Sequence, residues 1–365
     1  MSLDFILQQP ALSKTDLIFL LQTKGKEEQT LFDFSGKIKQ QHVGNTVYLR
    51  GLIEYSNHCR KNCYYCGIRR SNNSLHRYCL TEEEVLQTVQ FAYHHGYGSI
   101  AIQSGELSSK TFINQIDRIL KESKRLTNGE IGITLSCGEQ SEETYRRWFE
   151  SGADRYLLRI ETSSEELYRK LHPQNKLHQF TNRLNALEAV KKIGYQVGTG
   201  VMIGLPFQTT EHLADDLLFM KTFDIDMCGM GPYIEHRNTP LYTYKDQLLP
   251  LKERLNLSFK MIALLRIIMN NINIAATTAL QAIEKDARER AIQIGANVLM
   301  PNITPGQYQD NYFLYENKPL STDRPEDELN YLEQRLKAID HKIGYFQQGN
   351  SFNFNLKKSF SLNQK

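Results

Sequence analysis

No stretch of about 18 consecutive apolar residues occurs in this chain, so a transmembrane helix is not expected. Charge of one sign is also missing. Lys and Arg number 44 against 41 Asp and Glu, a net charge of +3, which predicts no particular affinity for nucleic acid or an anionic membrane. Residues 1–9 carry an acid, Asp4, and no basic stretch, unlike a secretory signal. Low-complexity segments and long linkers are absent, as is any repeat longer than one strand and one helix. Cysteine is scarce: six in 365 residues, three of them within eight positions. That distribution does not make a disulfide framework. It reads as a metal site in a reducing compartment, which places the chain in the cytoplasm.

What is present is ordinary globular composition, 40% hydrophobic and 23% charged, at a length that suits one α/β barrel with extensions. Apolar, β-branched runs recur at 47–53, 99–103, 131–135, 155–160, 196–203, 226–231, 272–276 and 296–300. Helical patterns fall between them: Val85, Val89 and Ala92 share one face, as do Leu213, Leu217 and Met220. Thr81 with Glu84, and Ser163 with Glu166, have the spacing of capping boxes at helix starts. Eight strand–helix alternations predict parallel strands joined by crossover helices, hence an α/β fold of the (βα)8 TIM-barrel type, with a doubly wound sheet as the alternative. The expected organisation is a helical extension over 1–44, the barrel over 45–318, and a helical extension and tail over 319–365. The charged helical segment at about 324–342 is expected to pack outside the barrel.

Polar clusters follow the runs, among them Ser56-Asn57-His58-Cys59, Gln103-Ser104-Gly105-Glu106, Ser136-Cys137-Gly138-Glu139, Glu161-Thr162 and Thr277-Thr278. In a barrel all strand C-termini open on one face, so these clusters would converge on one mouth. The first contains Cys59-x3-Cys63-x2-Cys66. Thiolates are the usual ligands of iron–sulfur clusters, and three of them for four irons leave one iron open to a substrate or cofactor. The alternative is a zinc site completed by Cys79 or His58. Cys79, Cys137 and Cys228 otherwise read as buried or incidental.

Cys59-Arg60-Lys61-Asn62-Cys63-Tyr64-Tyr65-Cys66-Gly67 resembles the signature of radical S-adenosylmethionine (SAM) enzymes. Over about 43–317 the chain is similar to the HydE family of [FeFe]-hydrogenase maturases, in the branch shared with biotin synthase and methylornithine synthase. The matching stretches include Glu54-Tyr55-Ser56-Asn57, the segment 152–159, Asp215-Asp216-Leu217-Leu218, Ala276-Thr277-Thr278-Ala279 and Gly295-Ala296-Asn297-Val298. The resemblance implies a closed barrel and a [4Fe–4S] cluster on Cys59, Cys63 and Cys66. It also implies a SAM pocket with Tyr65 near the adenine, Ser104 and Ser136 in the lining, and Glu161 and Arg183 on the polar groups. Arg159, Thr277, Thr278 and Tyr308 match positions deeper in the cavity that would contact the second substrate, a small iron–cysteine complex carrying CO and cyanide.

Plainer roles stand beside these: an ion pair between Glu161 and Arg183, a turn hydroxyl for Ser104, a barrel salt bridge for Arg159 and core packing for Tyr308. The implied partners are a reductant such as a ferredoxin or flavodoxin and other hydrogenase maturases. Two departures are visible. No cysteine follows Cys228, so the accessory C-terminal cluster of some family members cannot be built. Ile160 stands where the family often has His. The competing functions are a methylornithine synthase-like or other small-molecule mutase and, in another class, a non-catalytic iron–sulfur or zinc protein.

Overall fold

The computed structural model describes residues 3–319 and 325–362. Eight parallel strands curl into a barrel: β1 (Thr46–Ser56), β2 (Ser99–Ser104), β3 (Gly132–Ser136), β4 (Arg155–Leu157), β5 (Gln196–Thr199), β6 (Met227–Cys228), β7 (Asn273–Ile274) and β8 (Val298–Leu299). Each pairs with its sequence neighbour through β7, and β8 pairs with β1 at Tyr48↔Val298 and Leu49↔Leu299. The ring is completed by a thin seam between β7 and β8: one bridge, Ala275↔Val298, and two amide bonds, Asn297 to the Ile274 carbonyl and Ala276 to the Val298 carbonyl.

Crossover helices cover the outside because their apolar stripes match the sheet. The faces at Val85, Val89 and Ala92 and at Leu213, Leu217 and Met220 are buried against the strands. Thr81 and Glu84 form the expected capping box of helix Glu82–His94. The second cap lies one residue later than the spacing suggests. Ser164, not Ser163, accepts the Leu167 amide of helix Glu165–Leu171, because Ser163 is drawn to Asp216.

Two runs that read as single long strands are interrupted. After β5 and β6 the chain resumes as Met202–Ile203 and Gly231–Pro232, which pair with each other above the barrel. The break has a steric cause. A side chain at Gly200 would stand 1.9 Å from the Gly229 carbonyl oxygen, so the two backbones cross where only glycine fits.

At the N-terminus, helix Lys26–His42 packs on Leu251–Ile268, with Phe32 edge-on to Phe259 at 6.3 Å. Near the other end, helix Pro325–Lys337 lies outside the barrel, where Arg335 bonds Glu289 at 2.6 Å. Residue 324, where that segment was expected to begin, lies outside the described residues. The chain then returns to the barrel, which the sequence reading did not anticipate. Strand β9 (Lys342–Ile343) pairs with β1 at Thr46 and Val47. Residues 348–350 cross beneath the strands: the Gly349 carbonyl accepts from Asn273 at 2.8 Å, and Asn350 accepts from Gln196 at 2.7 Å. Thus residues 342–351 close the barrel floor, opposite the face on which the polar clusters lie.

Candidate functional site

The loop after β1 carries Cys59, Cys63 and Cys66. Its shape is fixed from several sides. Arg77 donates to the carbonyls of Asn57, Ile68, Arg69 and Asn72 at 2.5–3.0 Å. Asn57 reaches the Asn311 carbonyl at 2.7 Å, and the Gly67 amide bonds the Leu314 carbonyl at 2.9 Å, so the segment after β8 straps the loop down. The Asn62 amide donates to His178 Nε2 at 2.9 Å.

Two residues between the cysteines do more. Lys61 is buried, with Nζ 2.8 Å from Glu139 and 3.7 Å from Glu106, and it also bonds the Leu177 carbonyl. Arg60 Nε donates to Glu106 at 2.9 Å, and Arg183 Nε to Glu139 at 2.7 Å. A continuous ion-pair network therefore runs from the cysteine loop through Glu106 and Glu139, at the ends of β2 and β3, to Arg183 on helix Phe180–Ile193. Burial alone would raise the Glu139 carboxyl, but Arg183 and Lys61 outweigh it and hold it below the ordinary value. Glu106 is raised, by burial and by its neighbour Glu139. Arg60, Lys61, Glu106 and Glu139 were not singled out from sequence. The two glutamates stood in the polar clusters after β2 and β3, where a charged residue could have been ranked above the serines. No local signal marked Lys61.

All three thiols are pushed up: Cys63 to about 12 and Cys66 well above the ordinary thiol value, in both by burial first and then by neighbouring thiols. Cys59 follows, again through burial, although it accepts the Glu106 amide at 3.3 Å. Among the described residues no three His, Cys, Asp or Glu side chains converge on a point as a single ion requires. A four-iron cluster sets a different demand, since each thiolate goes to its own iron. Three thiols on one short loop, Cys63 buried and Cys59 and Cys66 half-buried, one already accepting an amide hydrogen bond, fit such a group. Of the remaining cysteines, Cys137 and Cys228 are buried and Cys79 is exposed.

Beyond β4 the backbone tightens. Glu161 holds φ at +67°, the left-handed region that a side chain occupies only at a cost. Its amide bonds the Gly200 carbonyl at 3.0 Å and its carbonyl accepts from Met202 at 3.2 Å. Arg159 Nη2 donates to the Val201 carbonyl at 2.8 Å and lies 3.1 Å from Glu161 Oε2, outside hydrogen-bonding geometry. Glu161 pairs with Arg159, while Arg183 pairs with Glu139 and the Arg159 carbonyl, so the direct Glu161–Arg183 pair does not form.

Tyr65 sets its hydroxyl 3.3 Å from His172 Nε2 and its ring edge-on to that imidazole. Ser104 donates to the Gly105 carbonyl at 2.7 Å, as a turn hydroxyl does. Ser136 ends β3 opposite Gln103. Thr277 donates to the Met230 carbonyl at 3.2 Å, and Thr278 begins the short helix Thr278–Gln281. Tyr308 is engaged elsewhere: its hydroxyl donates to Glu84 at 2.8 Å and its ring stacks on Tyr78. Tyr315, half-buried and not considered from sequence, has Glu54, Arg159 and Arg288 among the charged groups around it. Glu54 itself is buried with Lys318 at 2.5 Å.

Known proteins are similar to this chain in sequence and fold. The radical SAM superfamily profile matches residues 53–220. The [FeFe] hydrogenase maturase subunit HydE of Thermotoga maritima is 45% identical over 290 residues, 80% of either chain. The 3-methylornithine synthase of Methanosarcina acetivorans is 30% identical over 292 residues, 79% of either chain. Among solved structures, methylornithine synthase (PylB) superimposes with a TM-score of 0.79 at 26% identity, covering 94% of this chain and 98% of that one. The maturase HydG of Carboxydothermus hydrogenoformans shares the fold, with a TM-score of 0.77 at 20% identity over 94% of this chain and 79% of its own. With a curled parallel barrel and a three-cysteine loop at its mouth, the chain belongs to the radical SAM superfamily, enzymes that use SAM and an iron–sulfur cluster. Within that superfamily it is a close relative of the HydE-type hydrogenase maturases.

Proposed function

We propose that Cys59, Cys63 and Cys66 hold a [4Fe–4S] cluster, that SAM binds beside it, and that the enzyme acts in [FeFe]-hydrogenase maturation. The observation that carries the reading is the ion-pair network joining half-exposed Arg60 and buried Lys61, inside the cysteine motif, to buried Glu106, Glu139 and Arg183. It ties the loop that would carry the cluster to the side chains that would meet SAM. When bound, the cluster supplies one electron for reductive cleavage of SAM to methionine and a 5′-deoxyadenosyl radical.

The chain's own work is holding and shielding. Arg183, fixed by Glu139, is oriented for a carboxylate. Glu161 presents an acid to an ammonium or to ribose hydroxyls. Tyr65, Ser104 and Ser136 complete the lining, and the strap around Leu314 limits water. Arg159, Thr277 and Thr278 offer donors to an anionic, acceptor-rich substrate, an iron–cysteine complex with CO and cyanide. Tyr308 joins them only by releasing Glu84. The electron donor is a ferredoxin- or flavodoxin-like protein, other maturases are partners, nucleic acid and membrane are not, and the setting is an anaerobic cytoplasm.

A second reading, a methylornithine synthase-like mutase, is favoured by the near-complete superposition on that enzyme. Anaerobic reconstitution should give roughly four irons per chain, oxygen-sensitive, with 5′-deoxyadenosine released under dithionite. Cys63→Ala should lose the iron; Cys79→Ala and Cys228→Ala should keep it. Stoichiometric zinc without iron uptake ends the cluster assignment. Added to a maturation mixture lacking its HydE, the protein should restore hydrogenase activity; conversion of lysine to methylornithine instead selects the second reading.

A further inference from the structure

The helix Thr210–Phe223 lies on the barrel's outer layer, yet one of its residues reaches the mouth. Asp216 is completely buried. Its Oδ1 faces the Ser163 amide at 2.5 Å, the Ser163 hydroxyl at 2.7 Å and the Thr162 hydroxyl at 3.4 Å. Its Oδ2 is buried with no hydrogen-bond partner among the described residues. The Thr162 hydroxyl in turn accepts the Ser164 amide at 3.2 Å, which leads directly into the Ser164 cap. The two residues immediately after Glu161 are thereby tied to a single carboxylate oxygen.

That matters because Glu161 has the left-handed backbone. A non-glycine residue stays in that region only when its surroundings over-determine it. On the N-terminal side the restraint comes from Thr199, whose hydroxyl accepts the Ile160 amide at 3.0 Å and donates to the Leu158 carbonyl at 2.8 Å. On the C-terminal side it comes from Asp216. Burying this acid with one oxygen unpartnered costs desolvation, and what it secures in return is an acceptor for the Ser163 amide and the two hydroxyls beside Glu161.

We infer that Asp216 is a positioning residue for SAM binding: its buried carboxylate clamps Thr162 and Ser163 so that Glu161 keeps its left-handed turn and aims its side chain at the cofactor. The inference rests on Glu161 being a SAM contact. It acts through that residue alone, and Asp216 itself touches neither SAM nor the cluster.

The test uses the full chain, reconstituted anaerobically, with SAM affinity read by equilibrium dialysis and iron content checked in each variant. Asp216→Ala should weaken SAM binding about tenfold, the loss of one charge-assisted contact's worth of orientation, while keeping its iron. Asp216→Asn retains the accepting oxygen and should bind SAM within about twofold of the parent. In a Glu161→Ala background, Asp216→Ala should add nothing, because the group it positions is gone. In protein without cluster, hydrogen exchange at the Ser163 amide should be slow in the parent and in Asp216→Asn and fast in Asp216→Ala. Ser163→Ala, which keeps the carboxylate, gives a milder loss in the same direction if Asp216→Ala folds poorly. Additive losses in the double variant, or unchanged SAM affinity in iron-loaded Asp216→Ala, overturn the inference and leave the SAM site intact. Unchanged affinity in Glu161→Ala alone removes the Glu161 assignment, and this inference with it.

Discussion

Asp216 also carries a pH signature. Burial pushes its carboxyl up from 3.8 to about 7, against the opposing pull of its hydrogen bonds to Ser163 and Thr162. A folded-state pKa above the unfolded one means that the associated stability is complete below about pH 4 and is lost as pH rises to about 7. The difference in unfolding free energy between the parent and Asp216→Asn should therefore shift against the parent across that window. It should reach a few kcal/mol at most and stay flat above pH 7; chemical denaturation at stepped pH reads it directly. Arg159 and Thr277 separate chemistry from specificity in the same residue-by-residue way. Arg159→Ala and Thr277→Val should lower the yield of active hydrogenase in a maturation assay about tenfold or more, while 5′-deoxyadenosine formation persists. Loss of both activities together would place these residues on SAM instead of on the second substrate. At this scale the sequence was a partial guide. The three cysteines stand out because their spacing is a chemical requirement. Arg183 was singled out by resemblance, but its ion-pair partner Glu139 was not, because a pair forty-four positions apart leaves no local pattern.

Elements were more readable, since periodicity records which face is buried. The eight runs fell on the eight barrel strands, and the two amphipathic faces named from spacing are buried. The failures were all contacts between elements. Ser163 has the spacing of a cap, yet Asp216 on another helix takes it and leaves the cap to Ser164. The runs at 196–203 and 226–231 break where Gly200 meets Gly229, a crossing that neither run reveals alone. One consequence concerns helix Glu82–His94. Its N-cap hydroxyl, Thr81, accepts the Glu84 amide at 3.2 Å, and Glu84 reaches back to the Thr81 amide at 2.8 Å while also accepting from Tyr308. Thr81→Ala should cost about 1 kcal/mol, seen as a melting temperature lower by about 1–2 °C. Ser164→Ala should cost a similar amount. Ser163→Ala should instead show mainly in SAM affinity, which distinguishes a cap from a clamp.

On the scale of the whole molecule, the floor is the part that sequence did not disclose. Residues 344–351 show neither strand nor helix periodicity, yet they cross beneath the barrel. There the Gln348 carbonyl and Asn350 side chain accept from Arg155 at 2.8 and 2.5 Å, and the Gly349 carbonyl accepts from Asn273. Arg50 and Arg155 lie there buried and, among the described residues, without a carboxylate in bonding contact. Three of their guanidinium nitrogens have no partner among the described residues. A chain ending at residue 341 would take away Arg155's acceptors and open this charged base. Such a protein should unfold at markedly lower denaturant than the full chain and bind a hydrophobic dye before it does so. Stability equal to that of the full chain would show the floor to be an ornament on a self-sufficient barrel.

The pairing of β1 with both β8 and β9 bears on the order of events at synthesis. The strand at 46–56 emerges early, and its β2 partner follows within about fifty residues, but the partners on its other side lie at 298–299 and 342–343. Until those arrive, one edge of the first strand has no hydrogen-bonding mate, and that exposed rim invites pairing with another nascent chain. Closure is thus a late, long-range event with a high loop-closure cost, which predicts slow folding whatever the final stability. It would also set a sequence for loading the proposed cluster. The strap at Asn311 and Leu314, which secures the cysteine loop, is made after nearly the whole barrel, so iron and sulfide would find a finished loop only in a chain that is almost complete.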